Sequence, residues 1–169
     1  MEYEKDFLII GNYNSITYKE VFGFIKENKM WVGYSPRNMK FLTPENKLKA
    51  INACWFTNLD VKKRHEKLIL YKTYNPEEYP KYDNYDAIEV NRVANIPMDY
   101  DGIMGVPITF MDKYNPEQFE ILGSQRWAKS QELLDVYCGD KMPPESDKKT
   151  TINGKETYGR IFIKRKETN

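Results

Sequence analysis

The chain has 169 residues and weighs 20.1 kDa, which suits one domain, or one domain with an appendage. At that size roughly 70% of the unfolded surface is buried on folding, enough for a core without disulfide or metal staples. Lys and Arg number 26 against 25 Asp and Glu, a net charge of +1, which excludes a globally basic nucleic-acid binder and leaves room only for a local basic patch.

The mean hydropathy is −0.75, yet 13 Tyr, 8 Phe and 3 Trp make the chain too aromatic to be disordered. So much tyrosine suits strands and half-buried surfaces. Two distant cysteines, Cys54 and Cys138, and a single His65 form no metal-ligand spacing, so no structural zinc site is expected. Residues 1–6 are charged and lack a signal-peptide apolar stretch, and no apolar run reaches the ~18 residues of a membrane span. The expected placement is the reducing cytoplasm, with no membrane partner.

Phe7-Leu8-Ile9-Ile10, closed by Gly11-Asn12, reads as a strand buried on both faces. A helix is predicted over 17–27, with Thr17 and Glu20 as a capping box and Tyr18, Val21, Phe22 and Ile25 on one face. Met30-Trp31-Val32-Gly33-Tyr34 then reads as a second strand, and strand–helix–strand in this space argues for a parallel βαβ unit. Residues 35–48, with Pro36, Arg37, Lys40 and Pro44, read as a polar loop at the sheet edge. Two paired strands are predicted at 53–59 and 67–72, joined by the polar link 60–66.

Beyond Tyr74 the chain becomes aromatic, proline-rich and irregular, with strand-like pieces at 87–90, 119–122 and 158–164. Asn153-Gly154 predicts a type I′ hairpin turn leading into the final strand. Residues 139–149, with Pro143-Pro144, read as a mobile surface loop. Tyr74-Asn75-Pro76-Glu77-Glu78-Tyr79 is echoed by Tyr114-Asn115-Pro116-Glu117-Gln118-Phe119. Asn-Pro-Glu has a plain local meaning, with Asn as cap, Pro at the first helical position and Glu in the first turn.

No Walker loop, GxSxG elbow, HExxH pair or GxGxxG loop is present, and no nucleophile–base pair can be named, so no catalytic or metal residue is assigned. Gly102 and Gly105 have the wrong spacing for a phosphate cradle and read as turn glycines. The pairs Asp83 with Asp86 and Asp99 with Asp101 read as loop caps, and His65 as a surface histidine. The strongest electrostatic feature is Lys62-Lys63-Arg64-His65, placed where two strands turn. Its three cations could meet phosphates, joined by Arg37, Lys40, Lys47 and Lys49 from the preceding loop. Lys164-Arg165-Lys166 reads as a frayed tail.

Several long words of this chain resemble one family. Trp55-Phe56-Thr57-Asn58-Leu59-Asp60, Lys63-Arg64-His65-Glu66 and Tyr79-Pro80-Lys81-Tyr82-Asp83-Asn84-Tyr85-Asp86 are similar to the EcoRI-type adenine-specific DNA methyltransferases. So are Met104-Gly105-Val106-Pro107-Ile108-Thr109-Phe110 and the stretch from Asp112 to Phe119. The resemblance runs in one order over residues 6–165. It implies transfer of a methyl group from S-adenosylmethionine to adenine N6 in duplex DNA, with base flipping. The family's Asn-Pro-Pro-aromatic tetrapeptide and cofactor-loop glycines are absent here, so no catalytic or cofactor-binding residue is carried over.

The implied fold class is α/β: the C-terminal half of a Rossmann-like methyltransferase sheet followed by an irregular β-rich region. Residues 1–75 are expected to form the partial sheet and residues 76–169 the region that meets DNA. The expected DNA-binding residues are Lys62, Lys63, Arg64, Arg37 and Lys40, and the chain alone is expected to bind no S-adenosylmethionine. Partners are then duplex DNA and either a second copy or a separate N-terminal catalytic half. The alternative is a non-catalytic protein-interaction module derived from such an enzyme.

Overall fold

A computed structural model of the chain describes residues 5–34, 39–126, 131–138 and 149–166. The expected loop at 139–149 lies outside them apart from Lys149, and so does Arg37. The structure is mixed α/β, with small sheets and few helices, and divides into two compact units at residues 1–64 and 65–169.

In the first unit β1 (Leu8–Asn12), β2 (Trp31–Val32) and β5 (Ala53–Thr57) form a sheet in the order β1-β5-β2. Both outer strands pair antiparallel with β5, in the registers Ile10 to Trp55 and Val32 to Phe56. The expected βαβ unit is therefore corrected. β1 and β2 run the same way, but a reversed strand lies between them. The apolar run at 7–10 is not a buried central strand either. It is an outer strand, with Leu8, Ile9 and Ile10 all exposed.

Helix α1 is Lys19–Lys26, entered through a 3₁₀ turn at Tyr13–Thr17. The predicted capping box does not form. Thr17 Oγ1 donates to Asn14 O at 2.8 Å, and Tyr18, which stands at the N-cap, is exposed. The core face is Phe22 and Ile25, with Ile16 and Tyr13 from the turn and Cys54 and Phe56 from β5. Asn28, in the left-handed region at φ 56°, ends the helix, a conformation that Asn tolerates well.

The predicted loop at 35–48 is corrected as well. Met39–Leu42 (β3) and Leu48–Ile51 (β4) form an antiparallel ribbon around a turn in which Asn46 takes φ 57°. Phe41, Leu42, Leu48 and Ile51 remain exposed on it.

In the second unit β6 (Ile88–Glu89), β7 (Met104–Val106), β8 (Phe119–Ser124) and β11 (Ile161–Arg165) make a sheet in the order β6-β7-β11-β8. β6 and β7 are parallel and the other pairs antiparallel, and the register shifts by a bulge between Phe162 and Ile163. The short helix α2 is Gln131–Asp135. The core gathers Tyr82, Tyr85, Ala87, Leu122, Leu133 and Phe162, with the Tyr85 and Phe162 rings 4.6 Å apart. Gly105 is a strand residue here, not a turn. A Cβ at Gly105 would collide with the Tyr82 ring and hydroxyl, so glycine is what lets that tyrosine lie on β7.

The predicted pairing of 53–59 with 67–72 does not occur. β5 is paired on both sides by β1 and β2, and in place of a partner strand the Gln118 amide takes both backbone groups of Leu68. The Asn153-Gly154 turn forms as expected, with φ 51° and 73°. It joins the short β9 (Thr151–Ile152) and β10 (Lys155–Glu156), while the final strand is a separate element. Lys164 and Arg165 belong to β11, and Lys166 N donates to Gln118 O at 2.9 Å, so this segment is no frayed tail.

Candidate functional site

The basic cluster Lys62–His65 is one 3₁₀ turn, not a link between paired strands. Arg64 lies flat on the Trp31 ring, 3.6 Å from its centroid, and its Nη2 donates to Asn28 Oδ1 at 2.8 Å. Trp31 is itself fixed, its Nε1 donating to Leu59 O at 2.8 Å. Lys63 Nζ donates to Tyr34 O at 3.1 Å. Lys62 is exposed and has no ion-pair partner among the described residues. The arginine thus packs against Trp31 and Asn28, Lys63 is tied to Tyr34, and Lys62 is the exposed lysine of a turn whose charges suit phosphates more than base edges.

His65 Nδ1 meets Glu117 Oε1 at 2.9 Å, both side chains being exposed. Lys40 stands on β3 with Ala50 opposite, and Lys49 stands on β4 opposite Phe41. The structure therefore separates the predicted cations onto two elements, the turn at 62–65 and the ribbon.

Of the four loop carboxylates expected to act as caps, Asp83 and Asp99 do so, while Asp86 and Asp101 stand beside cations instead. Asp83 accepts from the backbone N–H groups of Asn153 and Gly154 at 3.1 and 2.8 Å, which holds its pKa below the ordinary aspartate value. Asp99 Oδ1 accepts from Tyr74 N at 2.7 Å. Asp101 stands 4.0 Å from Arg165, and Asp86 stands 3.6 Å from Lys81. The two Asn-Pro-Glu echoes are alike in structure. Asn75 and Asn115 each accept from the Glu N–H two residues on, and each turn drops an aromatic residue, Tyr79 or Phe119, into the core.

Sequence reasoning missed one buried group. Arg160 binds Glu89 through Nε and Nη2, both side chains are 10% exposed, and Tyr82 donates its hydroxyl to the same carboxylate. Burial and the Glu89 charge hold the Tyr82 phenol far above its ordinary pKa. No local spacing could reveal the triad, because its members come from three separate segments. Next to it a cleft of about 440 Å³ is lined by Lys72, Glu78, Tyr79, Glu89, Asn91 and Asn95.

S-adenosylmethionine needs a glycine-bearing loop that lets its nucleoside approach the backbone. No glycine lines the cleft, and the space beside Gly11, Gly33, Gly102 and Gly105 is filled by Phe56, Trp55, Tyr100 and Tyr82, whereas Gly23, Gly154 and Gly159 have open space beside them. The described residues form no glycine-lined cradle at this cleft. Among them there is also no group of three or more metal-ligating side chains, and no helix long and apolar enough to cross a membrane.

Residues 1–166 match the profile of the family described as adenine-specific methyltransferase EcoRI. This chain belongs to that family. It is 45% identical to the type II methyltransferase M.EcoRI of Escherichia coli, over 98% of this chain and 52% of that protein. It is 35% identical to the type II methyltransferase M.MgeORF184P of Mycoplasma genitalium, over 99% of this chain and 59% of that one. M.MpnI of Mycoplasma pneumoniae, also a type II methyltransferase, is 31% identical over 98% and 58%. The EcoRI-family chain described here thus spans a little over half the length of these relatives. No solved structure matches it.

Proposed function

We propose that this chain is the C-terminal portion of an adenine-N6 DNA methyltransferase of a restriction–modification system, using S-adenosylmethionine, and that alone it contacts duplex DNA without methylating it. The observation that carries this reading is the alignment of nearly the whole chain with about half of M.EcoRI, in a sequence without the Asn-Pro-Pro-aromatic tetrapeptide. In this reading residues 1–75 are the late part of a Rossmann-like sheet, and residues 76–169 the region that meets DNA. Lys62 and Lys63 contact phosphates, Arg64 holds their turn, and Lys40 and Arg37 extend the basic surface. The protein works in the cytoplasm.

Strand β1 supports the partner expected for such a portion. One of its edges pairs with β5, the other has no strand beside it among the described residues, and Leu8, Ile9 and Ile10 are 55%, 55% and 45% exposed. An apolar open edge recruits another strand. We assign that place to an N-terminal catalytic half or to a second copy of this chain. Sedimentation at tens of micromolar separates the two, since a clean monomer counts against the second copy. The same strand favours the alternative, an interaction module that binds protein and not DNA.

The deciding experiment is binding of the chain to a fluorescent duplex over a salt series. Steep weakening with salt is expected, with Lys62→Ala and Lys63→Ala each lowering the slope of log K against log salt by about 0.9. No binding at low salt overturns the DNA-contacting role of the chain and leaves the interaction module.

A further inference from the structure

The β3–β4 ribbon does not behave as part of a core. Cross-strand partners share a face, so Lys40, Leu42, Leu48 and Ala50 lie on one side and Met39, Phe41, Lys49 and Ile51 on the other. On the first side Leu42 and Leu48 are 64% and 71% exposed, while on the second Phe41 and Ile51 are 37% and 39% exposed. A two-stranded ribbon with its apolar side chains in water is marginally stable, so its outward face calls for a partner.

The charges say which partner. Lys40, Lys47 and Lys49 are all exposed, none is ion-paired to a described residue, and Glu45 at the tip is the one carboxylate in residues 39–51. Such a surface complements a polyanion better than an apolar protein face. The shape agrees. Two strands about 4.8 Å apart, with their side chains, make a ribbon that the ~12 Å major groove of B-DNA admits. The tip is braced for insertion. Thr43 N donates to Lys47 O at 2.9 Å, Asn46 N to Thr43 O at 2.9 Å, and Lys47 N to Thr43 Oγ1 at 3.3 Å.

We propose that the β3–β4 ribbon enters the major groove of duplex DNA, with Lys40, Leu42 and Leu48 facing base edges and Lys47 and Lys49 reaching the flanking phosphates. This rests on the reading that the chain contacts DNA, and assigns base reading to the ribbon while the turn at 62–65 holds the backbone.

The test uses the full chain, a fluorescent duplex and a salt series. Replacing Lys40, Lys47 and Lys49 together by Ala is expected to lower the salt slope by about 0.9 for each phosphate left without its cation. Replacing Leu42 and Leu48 by Ser is expected to weaken binding several-fold with the slope unchanged. Methyl green, a major-groove ligand, should compete with the protein, whereas netropsin in the minor groove should not. Acetylation of the unaltered protein gives a check that needs no variant, since the duplex should protect Lys40, Lys47 and Lys49. An unchanged slope, competition by netropsin alone, or acetylation unaffected by DNA each overturns the ribbon's role. If Lys62→Ala and Lys63→Ala weaken binding while the ribbon variants do not, only this inference falls. If the unaltered chain binds no duplex, the DNA-contacting reading falls with it.

Discussion

Glu89 shows how one side chain can hold a region together. Its carboxylate takes the Arg160 guanidinium through two nitrogens and also accepts the Tyr82 hydroxyl. Glu89→Gln would leave a buried guanidinium without its counter-charge, a change that typically costs about 3–5 kcal/mol. Urea unfolding followed by a probe in residues 65–169 should show a loss of that order. The buried tyrosines set a second expectation. Burial pushes the Tyr85 phenol up to about 12 from 10.0 and raises Tyr82 further. A phenol kept neutral by the fold contributes stability that is fully present below its unfolded pKa and is lost as pH rises through the folded one. Thermal stability should therefore hold up to about pH 10 and fall between 10 and 12, with tyrosinate absorbance rising in an early and a late wave. A single wave near the ordinary tyrosine value would contradict the packing. Some of this scale was legible in the sequence, for the asparagine caps at 75 and 115 follow from local propensity, although the helices they were expected to start are single turns. The engagement of Arg64 was not, because Trp31 and Asn28 lie far away along the chain.

At the scale of elements, short-range signals held and pairing did not. The Asn153-Gly154 turn was readable from turn chemistry, and the strands expected at 119–122 and 158–164 form at 119–124 and 161–165. The hairpin drawn from adjacent apolar runs failed because β5 already has two partners from earlier in the chain, β1 and β2. Residues 67–72 are held instead by the side chain of Gln118, whose Oε1 and Nε2 lie 2.7 and 2.8 Å from Leu68 N and O, and by Met98 N, which donates to Lys72 O at 2.8 Å. Gln118→Ala removes both bonds at once. The Leu68 amide should then lose its protection from hydrogen exchange while the β8 and β11 amides keep theirs. Equal loss throughout would mean that Gln118 supports the whole sheet and not just this segment. The apolar run at 7–10 is also instructive. Its composition looks like that of a strand with both faces covered, yet this chain alone covers neither fully, which is what a strand kept for an additional partner would show.

For the molecule as a whole, the division at residues 64 and 65 gives two units of different make. The first has a three-stranded sheet with an exposed outer strand and an exposed ribbon, whereas the second has a four-stranded sheet with Ile161, Phe162 and Ile163 all buried in β11. Local opening costs least where few apolar contacts must break. Native-state hydrogen exchange should therefore find the slowest amides in β11 and faster ones throughout residues 5–34 and 39–64. The reverse order would mean that the first unit is the more stable one. Family membership was readable from long words in the sequence because such words survive where pairing rules blur. The half-length relation to M.EcoRI was readable only as missing motifs, and the comparison gives it a size.

The place of β11 bears on how the second unit comes into being. It is the last strand in chain order among the described residues, yet it lies between β7 and β8, which have no direct ladder to each other. A ribosome releasing this chain from its N-terminal end would deliver both neighbours well before the strand that joins them. Until residues 161–165 clear the exit tunnel, the strands that flank them have nothing to zip to, and nascent Phe119, Ile121 and Leu122 must wait unpaired. The sheet of the second unit can therefore close only once residues 161–165 are available, and its apolar strands are open to chaperones until then.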